Sequence, residues 1–83
     1  MIGKLQTDSI SVGWDTQEGG GWVVGWDEGE GDDLQSLSEP LDARDEDNPA
    51  AAHAEAVAYL SHYYGRPVAA DDVRIITRDY PPR

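Results

Sequence analysis

The sequence predicts a small α+β domain, in which an antiparallel sheet of β-β-β-α-β order carries one helix packed on one face. Three observations favour this fold class. The first half of the chain alternates apolar with other residues as strands do, an alanine-rich segment has helix start and stop signals, and a β-branched run follows it. A chain of 83 residues is expected to form a single domain, residues 1–83.

The clearest strand signal is a short internal echo. Val12-Gly13-Trp14-Asp15 recurs as Val24-Gly25-Trp26-Asp27, and a glycine-rich turn lies between them at residues 16–21. Because residues two apart share a face of a strand, the pattern predicts a hairpin with one apolar face. The expected register brings large side chains together in cross-strand pairs: Val12 with Val24, Trp14 with Trp22, and Ile10 with Trp26.

Residues 34–41 carry a weaker pattern. Their three leucines have helical spacing, whereas Ser36, Ser38 and Pro40 argue against a stable helix. We interpret the segment as a third strand, and as an edge strand because proline cannot donate to a ladder; a short helix is the alternative. The residues 73–78 are expected to form the last strand, and residues 79–83 a C-terminal tail.

The helix is predicted between two terminal signals. Asn48 is a favourable N-cap and Pro49 fits the first helical position, while Gly65 suits the C-terminal cap. We expect the helix to run through residues 50–64, which are dense in alanine. One stripe of its side chains is suited to lie on the sheet: Ala50, Ala54, Val57, Leu60, Ser61 and Tyr64.

The charge is strongly negative and unevenly placed. The chain has a formal net charge of −11, of which residues 27–47 supply −9 through ten acids and one base, Arg44. Residues 48–83 are neutral. A field of this sign repels nucleic acid and anionic lipid, so we expect direct binding to neither, and it attracts basic protein surfaces. Residues 27–47 are thus predicted to be an acidic loop and edge-strand segment with a role in binding.

Several classes of protein are disfavoured. No apolar stretch is long enough to span a membrane, and the N-terminus has neither a basic region nor a long apolar run, so we expect a cytoplasmic protein, of the host cell if it is phage-encoded. The chain has no cysteine, which removes disulfides, thiolate metal sites and a cysteine nucleophile. With 39% hydrophobic residues and three tryptophans, it has enough apolar material to fold.

Catalytic and metal-binding signals are weak. His53 and His62 are nine positions apart on the predicted helix, and therefore face opposite sides. The acidic residues 27–33 lack the glycine and glutamate spacing of a calcium loop, and the run Gly19-Gly20-Gly21 has no following lysine to make it a phosphate loop. We expect no enzymatic activity, no cofactor and no metal site.

The first hypothesis for function is an acidic inhibitor that imitates nucleic acid and occupies the basic surface of a nucleic-acid-binding protein. In its size, charge and lack of catalytic groups, the chain is similar in kind to phage-encoded anti-CRISPR proteins and restriction-enzyme inhibitors. We also expect Tyr63 to contact the partner, because the tyrosines that crowd this helix cannot all face the sheet and an exposed tyrosine is a typical contact residue. The predicted partner-binding residues are Asp27, Glu28, Glu30, Asp32, Asp33, Asp42, Asp45, Glu46, Asp47 and Tyr63.

The second hypothesis is a regulatory or assembly module that binds through the edge of its sheet. In the order of its elements alone, the chain resembles HicB-type antitoxins, in which a partial RNase H-like domain neutralises a basic RNA-cleaving toxin. A structural or assembly protein of a phage is a further option of this class. The oligomeric state is left open, with a homodimer as one option.

Overall fold

A four-stranded sheet and one helix make up the part of the chain that the computed structural model describes, residues 3–15 and 20–76. The elements in chain order are β1 (Leu5–Asp15), β2 (Gly21–Glu28), β3 (Gln35–Pro40), α1 (Pro49–Tyr64) and β4 (Arg74–Ile76). The α+β class, the order of the elements and the single helix are therefore confirmed. The predicted turn residues 16–19, the last two residues of the predicted strand and the tail 79–83 lie outside the described residues.

The sheet has the strand order β3-β2-β1-β4 and is mixed. Strands β1, β2 and β3 form the predicted antiparallel meander, whereas β4 pairs parallel with β1. The reason is the single helical connection after β3. Because β3 runs in the same direction as β1 and α1 leads the chain back, β4 enters the sheet in the direction of β1.

The predicted hairpin register is confirmed near the turn and wrong farther from it. Val12 pairs with Val24 and Trp14 with Trp22, whose rings meet edge to face with centroids 5.5 Å apart. The register then shifts between Gln6 and Ser11, so Ile10 is not paired with Trp26. Ile10 is still buried, because the extra residues of the shift return it to the face that also buries Leu5, five positions away.

A serine hydroxyl completes the hydrogen bonding at this irregularity. The Ser9 Oγ accepts a hydrogen bond from the backbone N–H of Asp27 at 2.8 Å and donates one to the carbonyl of Gln6 at 2.6 Å. On the other side, Arg74 Nη2 donates to the carbonyl of Asp8 at 2.8 Å. The bulge is thus a hydrogen-bonded feature that joins β1 to both of its neighbours.

The helix has the predicted ends but a different buried face. The Asn48 side chain accepts a hydrogen bond from the N–H of Ala51, and Gly65 closes the helix in the left-handed conformation at φ 66°. Leu60 is buried as expected, whereas Ala50 and Ala54 are exposed. Ala52 and Ala56 occupy the sheet-facing positions instead, both with no exposed surface. These small side chains let α1 approach the tryptophan-bearing sheet closely.

The sheet is covered on one face. Trp22, Val24 and Trp26 lie beneath α1, together with buried side chains from the connecting segments, such as Leu41 and Val68. The opposite face carries small residues, among them Ser11, Gly13, Gly25 and Ser38, and no element of residues 3–15 and 20–76 covers it. Within the same residues, no helix is long and apolar enough to cross a membrane.

The close contact between α1 and the sheet can be tested at two alanines. Enlarging the buried Ala56 to leucine should overpack the core and lower the free energy of unfolding by about 1–3 kcal/mol. The same change at the exposed Ala54 should alter it by less than about 0.5 kcal/mol. Urea unfolding followed by tryptophan fluorescence measures both. A larger loss for Ala54→Leu than for Ala56→Leu would show that the helix face is misassigned.

Candidate partner-binding surface

The predicted acidic segment is divided by β3 into two groups. We call residues 27–33, which precede β3, the first acidic flank, and residues 42–47, which follow it, the second acidic flank. The six residues of β3 separate them by roughly 20 Å at about 3.3 Å per residue. The structure therefore brings the predicted site residues together as two clusters at opposite ends of an edge strand, and not as one continuous loop.

The first acidic flank begins inside the sheet. Strand β2 continues through Glu28, so Asp27 and Glu28 belong to a strand and not to the predicted loop. The Ser36 hydroxyl donates to Asp27 Oδ1 at 2.8 Å. Glu28 is half-buried on the helix side, where its Oε1 accepts a hydrogen bond from the Tyr64 hydroxyl at 2.6 Å. Glu28 therefore serves the packing of α1 on the sheet, and its carboxylate is not freely offered to a partner.

Backbone hydrogen bonds order the rest of the first acidic flank. The Gly29 N–H donates to the carbonyl of Lys4 at 2.7 Å, and the Gln6 side chain donates to the carbonyl of Gly29 at 2.6 Å. Gly29 has φ +102°, and a Cβ there would lie 2.5 Å from the carbonyl oxygen of Asp33. Only glycine fits this position. A short 3-10 turn, Gly31–Asp33, then presents Asp32 and Asp33 to solvent.

The second acidic flank is held by two side chains from other elements. The Glu55 carboxylate accepts hydrogen bonds from the backbone N–H groups of Asp42 at 2.6 Å and Ala43 at 2.9 Å. The indole N–H of Trp22 donates to the carbonyl of Asp45 at 2.8 Å. Asp45 in turn accepts the N–H of Asp47 on its side chain. The flank is therefore tied both to α1 and to β2.

Most of the predicted carboxylates remain available. Seven of the nine are exposed: Glu30, Asp32, Asp33, Asp42, Asp45, Glu46 and Asp47. Glu39, on β3 between the flanks, is also exposed. Arg44, the single base of the segment, extends toward the start of β2, where its Nη1 lies 3.4 Å from the carbonyl of Gly20. The surface along β3 thus carries negative charge at both ends and in its middle.

Tyr63 belongs to an aromatic cluster beside this surface. Its ring stacks on Tyr59 with centroids 5.9 Å apart and meets Tyr64 edge to face at 4.9 Å. Trp26 lies beneath both Tyr59 and Tyr63, at 5.9 and 6.2 Å. Burial, and then the charge of Glu39, raise the pKa of Tyr59. Tyr63 itself is 40% exposed, and its role as a contact residue stays a prediction.

Sequence reasoning missed three residues that build the surface. Glu55, Trp22 and Tyr64 connect the acidic flanks to the core through hydrogen bonds that span 12 to 36 positions of the chain. Tyr64 also accepts a hydrogen bond from the indole N–H of Trp26 at 2.8 Å. Buried tryptophan and tyrosine normally find a polar partner, so their presence was the one available signal. The identity of each partner could not be read from spacing.

Other polar features of the described residues are an open pocket and a histidine contact. An open pocket of about 250 Å³ near the start of β2 has Asp15 and Arg44 as its titratable lining residues, and backbone and apolar groups otherwise. His53 Nε2 lies 3.0 Å from the carbonyls of both Ala70 and Val73, so this side chain joins α1 to the turn before β4. Among the described residues, no three histidine or acidic side chains are grouped so as to hold a metal ion.

The hydrogen-bonded chain from Trp26 through Tyr64 to Glu28 can be tested with a matched pair of tyrosines. Tyr64→Phe leaves a half-buried carboxylate and an indole N–H without their partner, and should lower the free energy of unfolding by about 1–2 kcal/mol. Tyr63→Phe, on the exposed neighbour, should change it by less than about 0.5 kcal/mol. Equal effects in urea unfolding would contradict the assigned role of Tyr64.

Alkaline pH provides an independent test of Tyr64. Burial, and then its hydrogen bond to Glu28, raise the pKa of Tyr64 well above the ordinary value of 10.0. A raised pKa stabilises the fold fully below the unfolded-state value, and this contribution is lost as the pH rises toward the folded-state value. The wild-type protein should therefore lose stability above about pH 10 more steeply than Tyr64→Phe. Urea unfolding curves of both proteins, collected across this pH range, provide the measurement. An equal pH dependence of the free energy of unfolding in the two proteins would contradict the role of Tyr64.

No protein-family model, no curated protein sequence and no solved structure matches the chain.

Proposed function

We propose that the protein is a cytoplasmic, non-catalytic inhibitor whose acidic flanks occupy the basic nucleic-acid-binding surface of another protein. The observation that carries this proposal is the placement of seven exposed carboxylates on two hydrogen-bonded segments at the ends of β3. A basic groove that selects regularly spaced phosphates would accept carboxylates held in this way. Tyr63 adds an exposed aromatic contact beside them.

The density of charge supports the proposal. Eight carboxylates of residues 27–47 are exposed, the seven of the acidic flanks and Glu39 on β3 between them. A DNA duplex carries about 12 phosphate charges over roughly 20 Å, the length of β3. The surface therefore offers a number of negative groups of the same order, spread over β3 and the flanks at its two ends. Binding should also release the counterions of the basic groove, as DNA binding does.

The uneven distribution of charge supports a single binding surface. Both acidic flanks adjoin β3, at one edge of the sheet, whereas Arg74 lies on β4 at the other edge. A protein that needed negative charge only for solubility would not require this asymmetry. An approaching basic surface would be steered toward the β3 side.

The proposal can be tested by comparing two matched double variants. Asp32 and Asp33 lie in the 3-10 turn of the first acidic flank, and Asp71 and Asp72 lie in an equivalent turn, Ala70–Asp72, outside it. Both Asp32→Asn/Asp33→Asn and Asp71→Asn/Asp72→Asn reduce the net negative charge by two. Only the first pair should weaken binding, by roughly three- to tenfold.

The measurement is capture of nucleic-acid-binding proteins from a cell lysate on the immobilised protein, at low and high salt, followed by elution with duplex DNA. The proposal expects a partner that is retained at low salt, released by DNA, and lost steeply as salt rises. Affinities of the purified partner for the two double variants then complete the test. Equal weakening by both would mean that only total charge matters, and a partner indifferent to DNA would contradict mimicry.

An antitoxin-like module is the second candidate. The specific observation in its favour is the order of the elements, because the β-β-β-α-β arrangement on which that resemblance rests is present. An interface that depends on apolar and edge-strand contacts without a contribution from the acidic flanks should survive high salt. The salt series separates the two candidates.

A further inference from the structure

The outer edge of β3 has backbone groups that face away from the sheet. The N–H of Leu41 donates to the carbonyl of Trp22 at 2.8 Å, which fixes the phase of hydrogen bonding along this pair of strands. Because inward and outward positions alternate in an antiparallel pair, Leu37 and Glu39 direct their backbone groups to β2, and Ser36 and Ser38 direct theirs outward. No strand in the described part of the chain lies beyond β3.

Pro40 occupies an outward position of the same phase. Its missing N–H would face solvent, so the proline costs β3 no hydrogen bond to β2. The edge therefore offers the N–H groups of Ser36 and Ser38 and the carbonyls of Ser36, Ser38 and Pro40. This set is sufficient for a short added strand.

Exposed apolar side chains adjoin the same edge. The large apolar residues that are most exposed among the described residues are Leu34, at 49%, and Tyr63, at 40%. Leu34 immediately precedes β3. Tyr63 lies over Trp26, whose partner in β3 is Leu37. A strand added to β3 would direct alternate side chains toward Leu37 and Tyr63 on the helix side.

The charge selects the kind of strand that can be added. Two copies of this chain paired antiparallel through β3 would bring the first acidic flank of one copy against the second acidic flank of the other, and like charges would oppose the contact. A segment with basic residues at both ends would meet an acidic flank at each end. The exposed Glu39 adds a third negative group between them.

We infer that β3 is a docking edge for an extended basic segment of the partner protein, which adds to the sheet as a fifth strand. Its backbone pairs with Ser36 and Ser38, its apolar side chains lie against Leu37 and Tyr63, and its lysine or arginine residues meet the two acidic flanks. This inference rests on the proposed function and specifies that the basic partner is recognised through an extended segment.

The test uses a capped synthetic peptide in which valine and threonine alternate between lysine-rich ends. The matched variants are Ser38→Pro, which removes an outward N–H, and Ser38→Ala, which keeps it. Proline should be accepted at this position because Pro40, like Ser38, directs its backbone groups away from β2. Circular dichroism checks that the variant is folded. We expect Ser38→Pro to weaken peptide binding at least about tenfold, and Ser38→Ala to change it less than about twofold. The peptide with glutamate in place of lysine should not bind.

Amide hydrogen exchange of the wild-type protein gives a readout that needs no variant. In the free protein, the N–H groups of Ser36 and Ser38 should exchange fast and those of Leu37 and Glu39 slowly. Addition of the lysine peptide should protect Ser36 and Ser38 by about tenfold or more. Unchanged exchange at these amides, absence of binding, or equal binding by Ser38→Pro overturns the inference.

The outcomes also separate this inference from the proposed function. A captured partner that DNA displaces, but that binds Ser38→Pro as tightly as wild type, would leave the acidic inhibitor intact and overturn edge pairing. Dimers in sedimentation that Ser38→Pro dissociates would show that a second copy occupies the edge, and would equally overturn it. A third outcome combines two results: Asp32→Asn/Asp33→Asn loses DNA-displaceable binding, and the partner leaves the Ser38 amide unprotected. This outcome would overturn edge pairing and leave charge alone as the basis of binding.

Discussion

The arrangement of the molecule depends on two hydrogen bonds made by the indole N–H groups of β2. Trp22 and Trp26 are both buried beneath α1, with 2% and 3% of their surfaces exposed. Each indole must find an acceptor at the border of the core. Trp22 takes the carbonyl of Asp45, in the second acidic flank, and Trp26 takes the hydroxyl of Tyr64, which donates to Glu28 in the first acidic flank. One strand therefore anchors both flanks and the C-terminal end of the helix.

These anchors separate the roles of the acidic residues. Glu28 and Glu55 hold other parts of the structure through their carboxylates, whereas the seven exposed carboxylates of the flanks are free of the packing of α1 on the sheet. Strand β3 lies between the flanks with its outer backbone groups uncovered within the described chain. Charge, an open strand edge and the exposed Tyr63 thus occur on the same side of a very small domain.

Local patterns predicted the elements well and long-range contacts poorly. Asn48 and Gly65 fixed the ends of α1, and the alternation around Val12 and Val24 predicted the hairpin, because both signals depend on near neighbours. The predicted pairing of Ile10 with Trp26 was wrong because the register shifts between Gln6 and Ser11, where the Ser9 hydroxyl bonds to the backbone of Gln6 and Asp27.

The helix face and the division of the acidic site could not be read from the sequence for a similar reason. Alanine occurs on all sides of α1, so its spacing does not distinguish Ala52 from Ala50, and packing decides between them. Contact between Glu28 and Tyr64 joins residues 36 positions apart, which no local pattern encodes.

The proposed function requires that the acidic flanks form a fixed array and not a mobile polyanion. Because the chain has no cysteine, a double variant Asp33→Cys/Glu46→Cys carries spin labels at these two positions only. Pulsed electron spin resonance then measures the distance between the two labels. A fixed array predicts one narrow distribution at about 20 to 30 Å, including the label arms; a broad distribution that spans much shorter and longer distances would contradict it.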